Sequence, residues 1–218
     1  MQTLLLLDLD GTLIDTPHYE AWRRAAQGVG ITDFTYHEYV AYVAGRPRLE
    51  GAARLLALKK VEAHRAPSCG AYDGSSLAQA KQSEFLRLSA RTRLFDDAQR
   101  LLDRVCRSKQ HVRFYTASEN APRLFEAALL KTAQSFVRER VVRQRGDQTR
   151  EAFFASLAGE HAKATIVLVD DAPHAVDAAC RLGMRGYQIR RNAYEPTPTE
   201  PSARTVPTLD DIAVPIRD

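Results

Sequence analysis

The chain has few cysteines and no long apolar run, and both shortages narrow the range of possible functions. Its three cysteines, Cys69, Cys106 and Cys180, are an odd number without paired spacing, which argues against a disulfide framework and against a thiolate zinc site. The longest apolar run near the N-terminus, residues 4–7, ends at Asp8. That run is far too short for a membrane-spanning helix or a signal peptide. We therefore expect a cytoplasmic protein with no membrane partner.

The chain also lacks the patterns of several other functional classes. It has no dense basic clusters with interleaved aromatic residues, which are typical of proteins that read nucleic acids. Its six histidines show no metal-ligand spacing, and Ser118 lacks the Gly-x-Ser-x-Gly setting of a serine hydrolase. With 218 residues, 44% of them hydrophobic, the chain is long enough for one catalytic domain with a small insertion. We expect no nucleic-acid partner, and a monomer or a weak homodimer.

The net charge of +4 is unevenly distributed along the chain. Residues 16–94 hold 12 lysines and arginines against 7 acidic residues, so the excess positive charge lies entirely in this segment. Such a segment is either an ordinary solvated face or an electrostatic lid over an anionic ligand.

Three short apolar runs, each ending in polar side chains, predict strands that are buried on both faces of a parallel sheet. These runs are residues 3–7, 112–115 and 165–169, and weaker candidates at residues 141–142 and 187–189 bring the expected number of strands to five. Segments with helical periodicity lie between the runs. This alternation predicts an α/β fold with a doubly wound, Rossmann-like parallel sheet.

Residues 16–94 interrupt the alternation of strands and helices. Helical spacing of apolar residues recurs three times in this segment, and residues 66–76, which contain proline and glycine, are its predicted internal loop. The sequence therefore predicts two domains. An α/β catalytic core comprises residues 1–15 and 95–218, and a small all-helical domain comprising residues 16–94 is inserted after the first strand.

Each of the three strong strands is followed by reactive side chains, in residues 8–12, 116–118 and 170–171. Because ligands bind beyond the carboxyl ends of the strands in an open parallel sheet, we expect these clusters to converge on one site. Several carboxylates at one place repel each other, and a hard divalent cation such as Mg²⁺ would neutralise them and hold a phosphate. One aspartate could then attack phosphorus while a second carboxyl group protonates the leaving oxygen.

Residues 8–15, DLDGTLID, resemble the first signature motif of the haloacid dehalogenase superfamily, whose members are mostly Mg²⁺-dependent phosphatases. By this resemblance, Asp8 is the nucleophile and a metal ligand. Asp10 is the general acid and base, and its backbone carbonyl also contributes to the metal site. Thr116 matches the second motif, which binds the transferring phosphoryl group, and the resemblance covers most of the chain.

The fourth motif of this superfamily is matched more closely than the third. Asp171 occupies the usual metal-binding position of the fourth motif, with Asp170 beside it. The third motif normally supplies a lysine from the helix that precedes the fourth strand, but Lys163 is too close to that strand. Arg150 is the best substitute and Arg145 the second, while both could also belong to a solvated face.

The position of the helical insertion resembles the cap of the subfamily that contains β-phosphoglucomutase and phosphoglycolate phosphatase. By this resemblance, Arg48 binds substrate. Lys81 lies within an apolar helical stripe, where a lysine either extends to solvent or faces a cleft, and the resemblance favours the cleft. The segment after the second motif, with Ala117, Ser118 and Asn120, is expected to contact substrate, although Asn120 could equally cap the next helix.

Together these residues predict a Mg²⁺-dependent phosphatase that acts on a small phosphorylated metabolite, with sugar phosphates among the candidates. The main alternative is a phosphomutase of the β-phosphoglucomutase type, which uses the same residues, so short motifs do not separate the two. A dehalogenase is disfavoured because its chemistry needs neither Asp10 nor a metal-binding Asp171. A third hypothesis, a binding protein without turnover, is motivated by the missing lysine alone.

Overall fold

The computed structural model describes residues 2–59, 73–108, 111–130, 141–145 and 147–213. The chain divides into two compact units, one formed by Met1–Thr16 with Thr92–Asp218 and the other by Pro17–Arg91. Most of the predicted loop at residues 66–76 lies outside the described residues.

The first unit is built on a six-stranded parallel sheet. The strands of the chain are β1 (Gln2–Asp8), β2 (Ile14–Asp15), β3 (Arg93–Leu94), β4 (His111–Thr116), β5 (Val141–Arg143), β6 (Ala164–Asp170), β7 (Arg185–Ile189) and β8 (Arg204–Val206). The main sheet has the order β5-β4-β1-β6-β7-β8, and β2 pairs antiparallel with β3 in a separate small sheet. The predicted α/β class with a doubly wound parallel sheet is therefore confirmed, with one strand more in this sheet than the five expected.

Helices flank this sheet in the first unit and make up most of the second. They are α1 (His18–Gly28), α2 (Tyr36–Glu38), α3 (Arg48–Leu58), α4 (Gly74–Leu88), α5 (Asp96–Arg107), α6 (Ala121–Leu130), α7 (Arg150–Glu160) and α8 (Pro173–Arg181). A π-helical turn at Tyr39–Val43 follows α2, and 3₁₀ turns lie at Ser89–Arg91 and Leu209–Asp211. Within the described part of the chain, no helix is long and apolar enough to cross a membrane.

The leucine run of β1 suits its place at the centre of the sheet. Leu5 and Leu7 belong to the apolar core shared with α5 and α6, whereas Leu4 and Leu6 belong to the core shared with α7 and α8. Because successive side chains of a strand point to opposite faces, a strand covered on both sides needs apolar residues at every position. The continuous apolar run therefore fits β1 for a central position, between β4 and β6, where both of its faces are covered.

Parallel register brings the polar ends of the central strands to one edge of the sheet. Asp8, the last residue of β1, lies opposite Tyr115 of β4, so Thr116 is one residue further along its strand. On the other side of β1, Asp170 is the last residue of β6. The side chains at the ends of these three strands are therefore neighbours.

The second unit is helical and has its own apolar core. Trp22 from α1, Leu55 from α3 and Leu77 from α4 are all buried in it. Asp73 caps α4, because its side chain accepts the backbone N–H of Ser76 at 2.7 Å. The expected helical insertion after the first strand is thus part of the fold.

Candidate active site

Three aspartates meet at the carboxyl edge of the sheet. Among the described residues, Asp8, Asp170 and Asp171 each place a carboxylate oxygen within 4.8 Å of the others. Asp8 and Asp170 are buried, and Asp171 is partly buried. Burial, followed by repulsion from Asp170 and other nearby carboxylates, raises the pKa of both Asp8 and Asp171 well above the usual value of an aspartate. Ionisation of both aspartates is therefore unfavourable at this place in the fold unless a positive charge offsets it.

The donor set of this cluster fits a hard divalent cation. Carboxylate oxygens are the ligands that Mg²⁺ prefers in proteins. A cation among them would offset the repulsion that opposes the ionisation of Asp8. Asp8 and Asp171, with Asp170 beside them, are the residues that could hold it.

Asp170 also contacts three neighbouring groups, one backbone N–H and two side chains. Its Oδ1 accepts the backbone N–H of Ala172 at 2.7 Å, and its Oδ2 accepts the hydroxyl of Tyr115. The Nη1 atom of Arg150 lies 3.9 Å from the same Oδ2. Both carboxylate oxygens of Asp170 thus already accept a hydrogen bond from the protein. These bonds orient Tyr115 and the backbone at Ala172 beside the cluster.

Of the two arginines that the sequence offered as substitutes for the missing lysine, the structure brings Arg150 to the cluster. Its side chain is 19% exposed, and its positive charge lowers the pKa of Asp8 against the stronger effects that raise it. Burial alone would lower the pKa of Arg150, but Asp170 and other negative groups outweigh burial and raise it. Arg145, by contrast, is 79% exposed and lies 3.5 Å from Asp147.

The turn after β1 places Asp10 beside the cluster. Gly11 has a φ of +77°, which favours glycine, and a Cβ at this position would lie only 2.5 Å from Oδ2 of Asp171. The hydroxyl of Thr12 lies 3.5 Å from Oδ1 of Asp171. The turn therefore needs glycine at position 11 in order to approach Asp171 closely. Asp10, the residue before this glycine, contributes its negative charge to the raised pKa of both Asp8 and Asp171.

In the loop after β4, two hydroxyl side chains accept hydrogen bonds from the backbone. Thr116 is buried, and its Oγ1 accepts the N–H of Ser118 at 2.9 Å, which leaves the hydroxyl proton for another acceptor. The Oγ of Ser118 accepts the N–H groups of Asn120 and Ala121 at 3.3 and 3.2 Å. Ser118 therefore performs the capping of α6 that the sequence left open for Asn120. Ala117 is exposed between the two hydroxyl residues.

Arg48 and Lys81, the predicted substrate contacts in the insertion, belong to the second unit. Lys81 is only 5% exposed, so its side chain does not extend into solvent. Its Nζ lies 3.0 Å from Nδ1 of His18 and 4.6 Å from the centre of the Phe85 ring. Arg48 is exposed and donates a hydrogen bond to Gln82. The roles of Arg48 and Lys81 in substrate binding stay predictions.

Sequence reasoning missed three residues that shape this region, namely Tyr115, Asp97 and Arg191. Burial, together with the charges of Asp170 and Asp8, raises the pKa of Tyr115 well above its usual value, so its hydroxyl stays protonated and donates to Asp170. Its place directly before Thr116 was a signal that could have found it. Arg191 contacts the turn after β1 from a part of the chain 180 residues away, and no local pattern marks it.

Comparisons with known proteins identify similar structures only. No family model and no curated protein matches the chain. A β-phosphoglucomutase from the archaeon Pyrococcus sp. is similar over 98% of this chain and 96% of its own, with a TM-score of 0.71 and 23% identity. A predicted phosphoglycolate phosphatase from Haemophilus somnus covers 96% of each chain, with a TM-score of 0.72 and 15% identity.

A third similar structure is a mutant of CbbY from Rhodobacter sphaeroides in complex with xylulose-(1,5)bisphosphate. The similarity covers 97% of this chain and 96% of that one, with a TM-score of 0.64 and 19% identity. At these identities the likeness concerns the fold. The resemblance found in the sequence is confirmed at that level, because the similarity to these proteins covers nearly the whole chain.

Proposed function

We propose that this chain, which has the fold of haloacid dehalogenase-like hydrolases, is a Mg²⁺-dependent phosphatase that acts on a small phosphorylated metabolite. One observation carries the proposal. Three aspartates, of which Asp8 and Asp171 have raised pKa values, meet at the carboxyl edge of the sheet. The strand of Thr116 ends at the same edge, and the guanidinium of Arg150 lies 3.9 Å from Asp170. Strongly shifted pKa values in such a position are typical of functional sites.

Substrate binding follows from the charges and donors of these residues. When held by Asp8 and Asp171, with Asp170 beside them, Mg²⁺ would screen these carboxylates from a phosphate dianion and polarise a phosphoryl oxygen. The hydroxyl of Thr116 and the backbone N–H of Ala117 donate to other phosphoryl oxygens. Arg150 adds a positive charge, in place of the lysine that the resemblance would put there.

The first chemical step transfers the phosphoryl group to the protein. An oxygen of Asp8 forms a bond to phosphorus while the ester bond between phosphorus and the leaving oxygen breaks. Asp10, protonated at this stage, gives its proton to that oxygen, so the dephosphorylated product leaves as an alcohol. The product on the protein is an aspartyl phosphate at Asp8.

The second step returns the protein to its starting state. The carboxylate of Asp10 takes a proton from a water molecule, whose oxygen attacks phosphorus. The bond from phosphorus to Asp8 breaks, inorganic phosphate leaves, and Asp10 is again protonated. Asp10 thus acts as acid in one step and as base in the other.

The substrate class is supported by similar proteins rather than by this chain's geometry. One structure of similar fold holds xylulose-(1,5)bisphosphate, and another belongs to a β-phosphoglucomutase. We propose phosphorylated sugars as the first compounds to test. The division into a catalytic core and a helical cap, like the substrate contacts of Arg48 and Lys81, belongs to the same proposal.

The test is phosphate release from a panel of phosphorylated metabolites, with Mg²⁺ or with a chelator, by the wild type and by Asp8→Asn. We expect release that requires Mg²⁺ and falls by about 1,000-fold or more in the variant, since the nucleophile is lost. Asp211→Asn, an exposed aspartate near the C-terminus, is the control and should keep full activity. Release that survives in Asp8→Asn would overturn the assignment of the nucleophile.

A phosphomutase is the second candidate, favoured by the similarity to the β-phosphoglucomutase structure. It would return the phosphoryl group to a reoriented sugar before water reacts with Asp8. Incubation with a hexose monophosphate and a trace of the hexose bisphosphate separates the two functions. Accumulation of the isomeric monophosphate with little free phosphate would favour the mutase, and free phosphate equal to the monophosphate consumed would favour the phosphatase.

A further inference from the structure

The turn after β1, which we call the catalytic turn (residues 9–14), is closed mainly by its own backbone. The carbonyl of Leu9 accepts the N–H groups of Leu13 and Ile14 at 2.9 Å, and the carbonyl of Ile14 accepts the N–H of Gly11 at 3.0 Å. The carbonyl of Leu13 accepts the N–H of Phe95 at 3.0 Å. The carbonyls of two further residues of the turn instead accept hydrogen bonds from a distant side chain.

That side chain is Arg191, which lies two residues after the end of β7. Its Nε donates to the carbonyl of Gly11 at 3.0 Å, and its Nη2 donates to the carbonyl of Thr12 at 2.6 Å. A rigid guanidinium that binds two successive carbonyls fixes the direction of the peptide group between them. The residue directly before this pair is Asp10.

Arg191 is itself held from two other directions. Its Nη1 and Nη2 lie 3.1 and 3.2 Å from the two carboxylate oxygens of Asp97, and its Cζ lies 3.6 Å from the centre of the Phe95 ring. Asp97 is buried and also accepts the backbone N–H of Leu209 at 2.9 Å. A paired carboxylate and a stacked ring leave the guanidinium little freedom to move away from the turn.

We propose that Arg191 is a positioning residue for the reaction, which acts through the carbonyls of Gly11 and Thr12 to hold Asp10 in place for proton transfer. The inference rests on the proposed function, because it assigns Arg191 to the acid and base of that reaction. Arg191 needs no contact with substrate in this role. Small displacements of a catalytic group are enough to slow a reaction strongly while the fold persists.

The test compares Arg191→Met and Arg191→Lys with Arg100→Met as the matched control. Arg100 lies on α5, and its Nε contacts both carboxylate oxygens of Asp210 at 3.1 Å, so it also forms a two-oxygen pair with an aspartate. The control therefore removes an arginine–aspartate pair that likewise uses both carboxylate oxygens, but a more exposed one, from the same unit. Thermal unfolding of all three variants establishes that the proteins compared are folded.

The decisive readout is the dependence on the leaving group. An alkyl phosphate needs a proton from Asp10 as its poor leaving group departs, whereas p-nitrophenyl phosphate needs it much less. In Arg191→Met, kcat/KM for the alkyl phosphate should fall by about 100-fold, and that for p-nitrophenyl phosphate by about tenfold or less. A merely structural defect would lower both by the same factor, because it reduces the amount of active protein.

Arg191→Lys keeps a positive charge beside Asp97 but cannot serve two carbonyls in the same way. We expect the same unequal losses in this variant, to a smaller degree, and added methylguanidinium should restore part of the alkyl phosphatase activity of Arg191→Met. Equal losses for the two substrates, or variants no different from Arg100→Met, would overturn the positioning role while the phosphatase stands. A wild type that releases no phosphate would overturn both.

Discussion

Asp97 and the aspartate cluster at Asp8 differ in what neutralises their charge. Asp97 faces the guanidinium of Arg191, and although burial alone would raise its pKa, the bonds from Arg191 and from the N–H of Leu209 lower it below the usual value. Asp8 and Asp171 face each other and Asp170, and their pKa values are raised. The charge of Asp97 is paired within the protein itself, whereas for the aspartates at Asp8 we propose that a divalent cation supplies the opposite charge.

This difference distinguishes Asp97, whose charge is paired within the protein, from the aspartates that we propose to be functional. Asp97, at the start of α5, contacts both the 3₁₀ turn at Leu209–Asp211 and Arg191, which lies two residues after β7. The cluster at Asp8 opposes its own ionisation, which proteins tolerate where a ligand supplies the opposite charge. Arg191, which is paired with Asp97, also binds the carbonyls of Gly11 and Thr12 in the turn that follows Asp8.

After the loss of the nucleophile, the largest effect should follow the loss of the guanidinium of Arg150. In Arg150→Met we expect kcat for phosphate release to fall by about 100- to 1,000-fold, since a charge that stabilises the transferring phosphoryl group is removed. Steady-state kinetics on the best substrate measures it. Arg145→Met should stay near wild type, because Arg145 is exposed and pairs with Asp147. Equal losses in the two variants would contradict the assignment of Arg150.

A smaller effect should follow the removal of the charge on Asp97. We expect Asp97→Asn to lower the free energy of unfolding by about 2 kcal/mol at pH 7, because a buried charge-assisted pair with Arg191 is lost. The folded-state pKa of Asp97 is lowered, so its contribution is full above the unfolded pKa of about 3.9 and disappears as pH falls through the folded value. Urea unfolding of both proteins between pH 7 and pH 3 measures this change.

The difference in stability between wild type and Asp97→Asn should therefore shrink below about pH 4. Asp211→Asn, which replaces an exposed aspartate, should show a difference near zero throughout. A difference for Asp97→Asn that stays constant to the lowest pH would contradict the ionised pair.

The smallest expected effect is an increase, rather than a decrease, in the free energy of unfolding. Asp171 has a raised pKa in the folded state, so in the absence of metal its ionisation opposes folding as pH rises above the unfolded value. Asp171→Asn should raise the free energy of unfolding of the metal-free protein at pH 7 by about 1 kcal/mol. Added Mg²⁺ should stabilise the wild type and have less effect on the variant. Destabilisation of the metal-free variant, with an unchanged response to Mg²⁺, would contradict the metal site.

The sequence predicted the parts of the fold that depend on continuous apolar patterns. The leucines of β1 and the periodic helices left clear signals, because burial on two faces or on one stripe constrains many neighbouring positions. β8 was not predicted because it is a three-residue edge strand with two exposed positions. β2 and β3 were not predicted because they have two residues each. Such short strands are specified by pairing with distant residues rather than by their own composition.

The same distinction applies to the candidate site. Asp8, Thr116 and Asp170 could be placed from sequence, because each ends a recognisable strand and parallel strands bring their ends together. Sequence alone could not distinguish Arg150 from Arg145, because Arg150 begins α7 and Arg145 lies only five residues before it. The bonds from Arg191 to the turn could not be predicted, because backbone carbonyls carry no residue identity and the partner lies 180 residues away.

The central claim, that Asp8 is phosphorylated during the reaction, can be tested directly in Asp10→Asn, where removal of the base should slow hydrolysis of the intermediate. The variant is mixed with Mg²⁺ and p-nitrophenyl phosphate, quenched in acid and digested, and its peptides are analysed by mass spectrometry. We expect a phosphoryl group on the peptide that contains Asp8, and none when Asp8→Asn is combined with Asp10→Asn. Phosphate release by the wild type together with an unmodified Asp8 peptide in the variant would contradict the account.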